Sequence, residues 1–273
     1  MCKPIWLAKV CAGSVLAAIL CAPSVGGQTL NLRDRIVANH FEFIPEGDGP
    51  FPTLIAFPGC SGIALQDPDA EASHPDLRDD DRLFRNHYPQ AAERLRTEGF
   101  AVLLIHVHGA EGLVTACTGQ IRAERIAEYI TEAVRWAAEL DFVDETRIHV
   151  IGWSMGGRGV LTWLNSSQSQ ATPVLSVIGV YPGCGDQRSL TTHVPLLLLL
   201  GGADDIADPR ICERLLAESS SASEITVHVY PGARHGFDVS AAPPVLDIGG
   251  GMTIGYQPAA AESAWREIFA FLK

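Results

Sequence analysis

The chain has 273 residues, 47% of them hydrophobic, which suits one sizeable domain around one core. Its formal net charge is −12, and no basic patch is present to neutralise phosphates, so a nucleic-acid partner is excluded. The acidic balance otherwise bears on solubility rather than on fold.

Residues 1–27 have the pattern of an export signal. Lys3 and Lys9 give a positive start, and residues 10–22 form an apolar stretch too short to span a bilayer comfortably. Ser24-Val25-Gly26 supplies small residues for cleavage. This predicts a periplasmic or secreted protein whose mature chain starts near Gly27 or Gln28, with a single domain over residues 28–273. An uncleaved N-terminal anchor is the alternative. No later segment is long and apolar enough to cross a membrane, so no membrane contact is expected after cleavage. Of the seven cysteines, Cys2, Cys11 and Cys21 fall in the signal. The remaining Cys60, Cys117, Cys184 and Cys212 predict two disulfides in an oxidising compartment, with three connectivities open. Four buried free thiols are the other possibility.

From Gln28 onward, strands alternate with helices. Residues 40–44 read as a first strand, closed by Pro45 and the Gly47-Asp48-Gly49 turn. Residues 53–57 form a buried strand leading into Pro58-Gly59-Cys60-Ser61-Gly62. The acidic stretch 66–85 reads as a surface loop or lid. Tyr88, Ala91, Ala92 and Leu95 mark one face of a helix ended by Gly99, and 101–106 is the next strand. Ile126, Ile130, Ala133, Ala137 and Leu140 repeat at helical spacing. A strand over 147–151 and a helix over 157–164 follow. Strands are expected at 174–181, 195–200 and 225–230, with a helix over 208–219 between the last two. Trp265, Ile268, Phe269 and Leu272 face inward from a C-terminal helix. The alternation implies α/β class: a mostly parallel central sheet with helices on both faces and ligands at the carboxyl ends of its strands.

Gly152-Trp153-Ser154-Met155-Gly156 lies between strand and helix, and G-x-S-x-G in that context is the nucleophile elbow pattern. Side chains at Gly152 and Gly156 would clash with neighbouring backbone. Ser154 is pushed into an exposed position near the N-terminus of the next helix, whose N–H groups favour developing negative charge. A serine hydroxyl needs a base, and a histidine base needs an acid to hold its tautomer. In this architecture they follow in the order Ser, Asp or Glu, His. One apolar strand runs into Gly201-Gly202-Ala203-Asp204-Asp205, and another into Pro231-Gly232-Ala233-Arg234-His235. Asp204 is assigned as the acid and His235 as the base. Asp205 and Asp208 compete, but Asp208 better caps the helix that starts at Pro209. The oxyanion requires two backbone donors. The N–H of Met155, just after the nucleophile, is one. The N–H of Cys60, in the loop after strand 53–57, is the other.

These residues resemble the dienelactone hydrolase family of α/β-hydrolases, in particular exported members with serine replacing the founding cysteine. The similarity is carried by Phe57-Pro58-Gly59-Cys60-Ser61-Gly62, Gly152-Trp153-Ser154-Met155-Gly156-Gly157 and Tyr181-Pro182-Gly183-Cys184. It continues in Gly201-Gly202-Ala203-Asp204-Asp205, Tyr230-Pro231-Gly232-Ala233-Arg234-His235-Gly236-Phe237-Asp238 and Gly255-Tyr256-Gln257-Pro258-Ala259-Ala260-Ala261. The resemblance implies an α/β-hydrolase fold, hydrolysis of a small-molecule carboxylic ester, and no cofactor. It also implies the pairs Cys60–Cys117 and Cys184–Cys212. Two family features are absent. The glutamate before the oxyanion donor is replaced by Pro58-Gly59, and the arginine after the histidine by a stretch containing Asp238, which would repel a substrate anion. A generic ester is therefore expected rather than dienelactone. A peptidase or acyltransferase using the same triad, or a catalytically silent binding protein, remains open. Trp153 and Phe237 flank catalytic residues and either line an acyl pocket or pack in the core. His106 and His108 are expected to point opposite ways from a strand end, which disfavours a metal site. Gly249-Gly250-Gly251 reads as flexible loop.

Overall fold

Strands that are apolar on both sides need cover on both faces. The computed structural model describes residues 30–64, 74–75, 77–219 and 225–273. Up to the nucleophile strand, the elements are α1 (Leu32–Val37), β1 (His40–Phe43), β2 (Phe51–Phe57), α2 (Asp79–Thr97), β3 (Ala101–Ile105), α3 (Val107–Ala110), α4 (Ala123–Ala137) and β4 (Val143–Trp153). After it come α5 (Met155–Leu164), α6 (Ser167–Gln170), β5 (Ser176–Val180), β6 (Leu196–Gly201), α7 (Pro209–Ala217), β7 (Ile225–Tyr230), β8 (Leu246–Gly249), β9 (Met252–Ile254) and α8 (Pro258–Phe271). Asn31–Lys273 forms one compact unit.

Strands β1 to β7 make one sheet in the order β1-β3-β2-β4-β5-β6-β7. β1 is antiparallel to β3, and the other pairs are parallel. Period-two alternation sorts the strand residues into two layers. Leu54, Ala56, Val102 and Leu104 pack with Tyr88 and Leu95 of α2 and Trp265 and Ile268 of α8. Ile55, Phe57, Leu103 and Ile105 pack with Ile126 and Ile130 of α4 and Leu161 of α5.

The chain leaves β2 for β3 on one side and returns to β4 on the other. At such a reversal, the loops beyond the strand ends part and leave a crevice. The register sets their positions: Phe57 pairs with Gly152, Trp153 with Val180, and Val180 with Leu199. The loops after β2, β4, β5 and β6 therefore emerge side by side.

Three expectations are corrected. The surface loop over 66–85 is helical from Asp79, because Asp79, Asp80 and Asp81 form the first turn of α2, where carboxylates oppose the helix dipole. Gly249, Gly250 and Gly251 are not an open loop. They turn β8 into antiparallel β9 with φ of 91°, 66° and 79°, a conformation that costs glycine little. His106 and His108 do not point apart, because β3 stops at Ile105 and the chain enters α3; their ring centroids lie 6.2 Å apart. Among the described residues, no group of three or more His, Cys, Asp or Glu is arranged to hold a metal ion. No helix among them is long and apolar enough to cross a membrane. The signal pattern over 1–27 and the acidic residues Asp67, Asp69, Glu71 and Asp76 lie outside the described residues.

Candidate active site

β4 ends at Trp153 and α5 starts at Met155, so Ser154 alone makes the reversal. Its φ of 49° is in the left-handed region, uncommon for a residue with a side chain. Hydrogen bonds on both sides hold it there. Ser154 N donates to Val180 O at 2.9 Å, and Arg158 N donates to Ser154 O at 2.9 Å. The flanking glycines leave the space this turn needs. A Cβ on Gly152 would lie 2.5 Å from the Gly156 carbonyl carbon, and one on Gly156 would lie 2.2 Å from Phe57 O.

Ser154 Oγ is 2.8 Å from His235 Nε2, and His235 Nδ1 is 2.8 Å from Asp204 Oδ2. A carboxylate only accepts, so Nδ1 carries the proton and the Nε2 lone pair faces the serine hydroxyl. The other Asp204 oxygen accepts from Ile206 N at 2.9 Å and Ala207 N at 2.7 Å, which fixes the carboxylate plane. The two competing acids are occupied elsewhere. Asp205 accepts from Thr253 N at 2.8 Å and from its hydroxyl at 2.6 Å. Asp208 is the N-cap of α7 and accepts from Arg210 N at 2.9 Å, with Pro209 opening the helix.

The loop after β2 lies against the elbow: a Cβ on Gly59 would be 3.2 Å from Ser154 Cβ. Its peptides are individually held. Gly59 N donates to Tyr88 OH at 2.9 Å, and Gly59 O accepts from Gly62 N at 3.2 Å. In a trans peptide the N–H opposes the C=O, so the Cys60 N–H points away from that turn. Cys60 O accepts from Ala116 N at 2.8 Å and faces His108 Nε2 at 3.1 Å. Arg85 donates to Ser61 O at 2.7 Å. Cys60 is bonded to Cys117, and Cys184 to Cys212. The first bridge ties the Cys60 loop to the segment after α3. The second ties the loop after β5 to α7. Cys60 and Met155 both border a cavity that Ser154 and His235 also line.

Trp153 and Phe237 are corrected as candidate substrate contacts. They are 1% and 0% exposed and line neither cavity at Ser154. Their side chains point into the layer beneath the site. There, Trp153 Nε1 donates to Asp238 Oδ2 at 3.2 Å, and Phe237 packs 5.4 Å from the Tyr181 ring. Asp238 likewise faces the core and not an incoming anion. Tyr181 OH donates to its Oδ1 at 2.8 Å, and His87 Nε2 lies 3.2 Å from its Oδ2. Burial pushes the Asp238 carboxyl up, but His87 and the bonds from Tyr181 and Trp153 outweigh it and hold the group below the usual carboxylate range. Tyr181 has a φ of 37°, and its ring centroid is 4.7 Å from that of His235. Sequence reasoning missed this buried cluster. The signal available was an aspartate three residues after the histidine, next to an aromatic residue.

The seven-stranded, mostly parallel sheet with helices on both faces and a Ser154–His235–Asp204 chain at its rim defines an α/β-hydrolase. The sequence profile of the dienelactone hydrolase family matches residues 84–273, and the chain belongs to that family. Ser154, Asp204 and His235 lie inside the match, and Cys60 lies before it. A search of curated proteins finds no match. Among solved structures, a candidate dienelactone hydrolase from Klebsiella pneumoniae subsp. pneumoniae is similar with a TM-score of 0.63 at 17% identity, covering 85% of this chain and 91% of its own. A dienelactone hydrolase-like promiscuous phosphotriesterase, P91, from metagenomic libraries gives a TM-score of 0.62 at 17% identity, covering 83% and 87%. Identities this low speak to the fold alone.

Proposed function

We propose that this protein is an exported serine hydrolase that cleaves small-molecule carboxylic esters through an acyl-enzyme. Ser154 Oγ attacks the carbonyl carbon while His235 Nε2 takes its proton, and Asp204 stabilises the resulting imidazolium. The Met155 and Cys60 N–H groups receive the oxyanion. Collapse of the intermediate expels the alcohol, which takes the proton back from His235. Water, deprotonated by His235, then releases the acid and restores Ser154. The observation that carries this reading is the pair of 2.8 Å contacts linking Ser154, His235 and Asp204. The scheme needs no cofactor. Export is supported by the signal pattern over 1–27 and by two disulfides, which persist in oxidising compartments. Cleavage would leave a single domain over residues 28–273.

Ser154→Ala removes the nucleophile without touching the glycines of the turn. Turnover of a p-nitrophenyl ester should drop by about a thousandfold or more, with the thermal midpoint unchanged. Undiminished turnover in the folded variant would refute the assignment.

A further inference from the structure

Ser154 and His235 face two cavities of different character, and the difference allots the two halves of the ester. The first, about 160 Å³, is walled by Phe84 and Tyr88 of α2, Ile206, and the hairpin residues Ile248, Met252 and Ile254. Arg78 also borders it, but its guanidinium is bound to the Asp80 carboxylate. The second, about 190 Å³, is bordered by Met155, Gly119, Gly183 and Arg158, whose guanidinium is paired with Asp186, and by Ile121 and the same Ile206, so it has fewer apolar walls than the first but is not free of them. Deacylation requires water to reach the acyl carbon from the side the alcohol has left, within reach of His235. Water is held beside peptide and guanidinium groups and not against a wall of aliphatic and aromatic side chains.

Building on the ester hydrolase reading, we infer that the hairpin-walled cavity is the acyl pocket and that the substrates are esters of uncharged, apolar acids of about benzene size. The size follows from volume: an apolar protein cavity of about 150 Å³ takes up benzene. That corresponds to acyl groups of about four to seven carbons, from butanoate to benzoate. The exclusion of charge follows from the lining. A second carboxylate would lose its water with, among the described residues lining the cavity, no cation other than Arg78, which is already paired with Asp80.

The wall is held in place by the loops that carry the chemistry. Thr253 of β9 donates to Asp205 from its N–H and its hydroxyl, and accepts from Arg234 Nη1 at 2.6 Å. Gly255 N donates to His235 O at 3.1 Å. The hairpin is thereby fastened next to both Asp204 and His235.

The test is kcat/KM over p-nitrophenyl acetate, butanoate, hexanoate, decanoate and the succinate half-ester, with alkyl butanoates to vary the alcohol. Each buried methylene contributes about fourfold. The rate constant should therefore rise at least tenfold from acetate to butanoate or hexanoate, then fall at decanoate. The succinate half-ester should lie at least tenfold below butanoate, and the alcohol series should stay within a few-fold. Ile248→Ala with Met252→Ala should move the optimum to longer chains. Phe84→Leu, on α2 and bordering only the first cavity, should likewise move it to longer ones, which keeps the test decisive if the hairpin variant fails to fold. A flat acyl series beside a steep alcohol series, or a preference for the half-ester, would overturn the inference. Labelling of Ser154 by a fluorophosphonate separates the two levels. A labelled enzyme with a flat acyl series loses only the pocket assignment, whereas an unlabelled one that turns over no ester loses the hydrolase reading itself.

Discussion

Asp238→Leu would remove the carboxylate at the centre of the buried cluster while roughly keeping its bulk. Tyr181 OH and Trp153 Nε1 would lose their acceptor, and His87 would lose its charged neighbour. Each buried polar group left without a partner costs about 1–3 kcal/mol. Partial relaxation keeps the total near the 3–5 kcal/mol found when one side of a buried charge pair is removed. That is a large share of the roughly 5–15 kcal/mol that holds an average domain together. Urea unfolding at pH 7 reads the loss directly. Acid provides a sign test. The Asp238 carboxyl titrates below its ordinary value in the folded protein. Its contribution is therefore full above the unfolded carboxylate range and disappears as pH falls through the lowered folded value. The gap between wild type and variant should be widest near neutrality and should narrow below about pH 4. A gap under about 1 kcal/mol at pH 7, or one that widens on acidification, would refute the reasoning.

Burial lowers His106 and His149 to about 4 and His108 to about 3, so all three are neutral in the folded chain. The unfolded chain takes up protons near 6.5, so stability should fall from there toward pH 4, by at most about 1.4 kcal/mol per pH unit for each histidine. Urea midpoints at pH 7.5, 6 and 5 check this, His149→Gln should flatten the slope, and identical midpoints would contradict it. The two bridges close sequence separations of 57 and 28 residues, worth about 4 kcal/mol each in chain entropy. Cys117 is exposed whereas Cys184 and Cys212 are 3% and 0% exposed. Mild reductant should therefore open Cys60–Cys117 first and lower turnover while the second bridge stays closed. Prior loss of Cys184–Cys212 in thiol-trapping experiments would count against that order.

Much of the fold was legible because its signals are local. Apolar runs such as Leu196–Gly201, short and bounded by Pro195 and Gly202, read as strands covered on both faces, and the helical repeat of Ile126, Ile130 and Ala133 marks α4. The elbow was legible from its G-x-S-x-G spacing, but only the Gly152 clash is local, against Gly156 four residues on, whereas Gly156 is required by Phe57 O on the neighbouring strand. The β8–β9 hairpin was not, because its strands are only four and three residues long, half-exposed, and joined by glycines, too short for their alternation to stand out. The start of α2 was missed because a run of aspartates resembles a solvated loop until the helix dipole gives the charges a place. The inward turn of Trp153, Phe237 and Asp238 depends on contacts spanning 57 and 85 residues, which no local pattern encodes.

The three aspartates after β6 show where chain order stops being informative. Position after the glycine pair favoured Asp204, but position alone gives Asp205 nearly equal standing. The two are separated by what meets each side chain. Asp204 turns inward because Ile206 N and Ala207 N, two and three residues ahead, close a local turn on one of its oxygens and leave the other for His235. Asp205 faces outward to Thr253, 48 residues away on a hairpin that the sequence did not reveal. Asp204 could have been singled out by its local turn alone, whereas the occupation of Asp205 rests on a long-range contact. Adjacent identical residues thus divide between holding the base and holding the cavity wall.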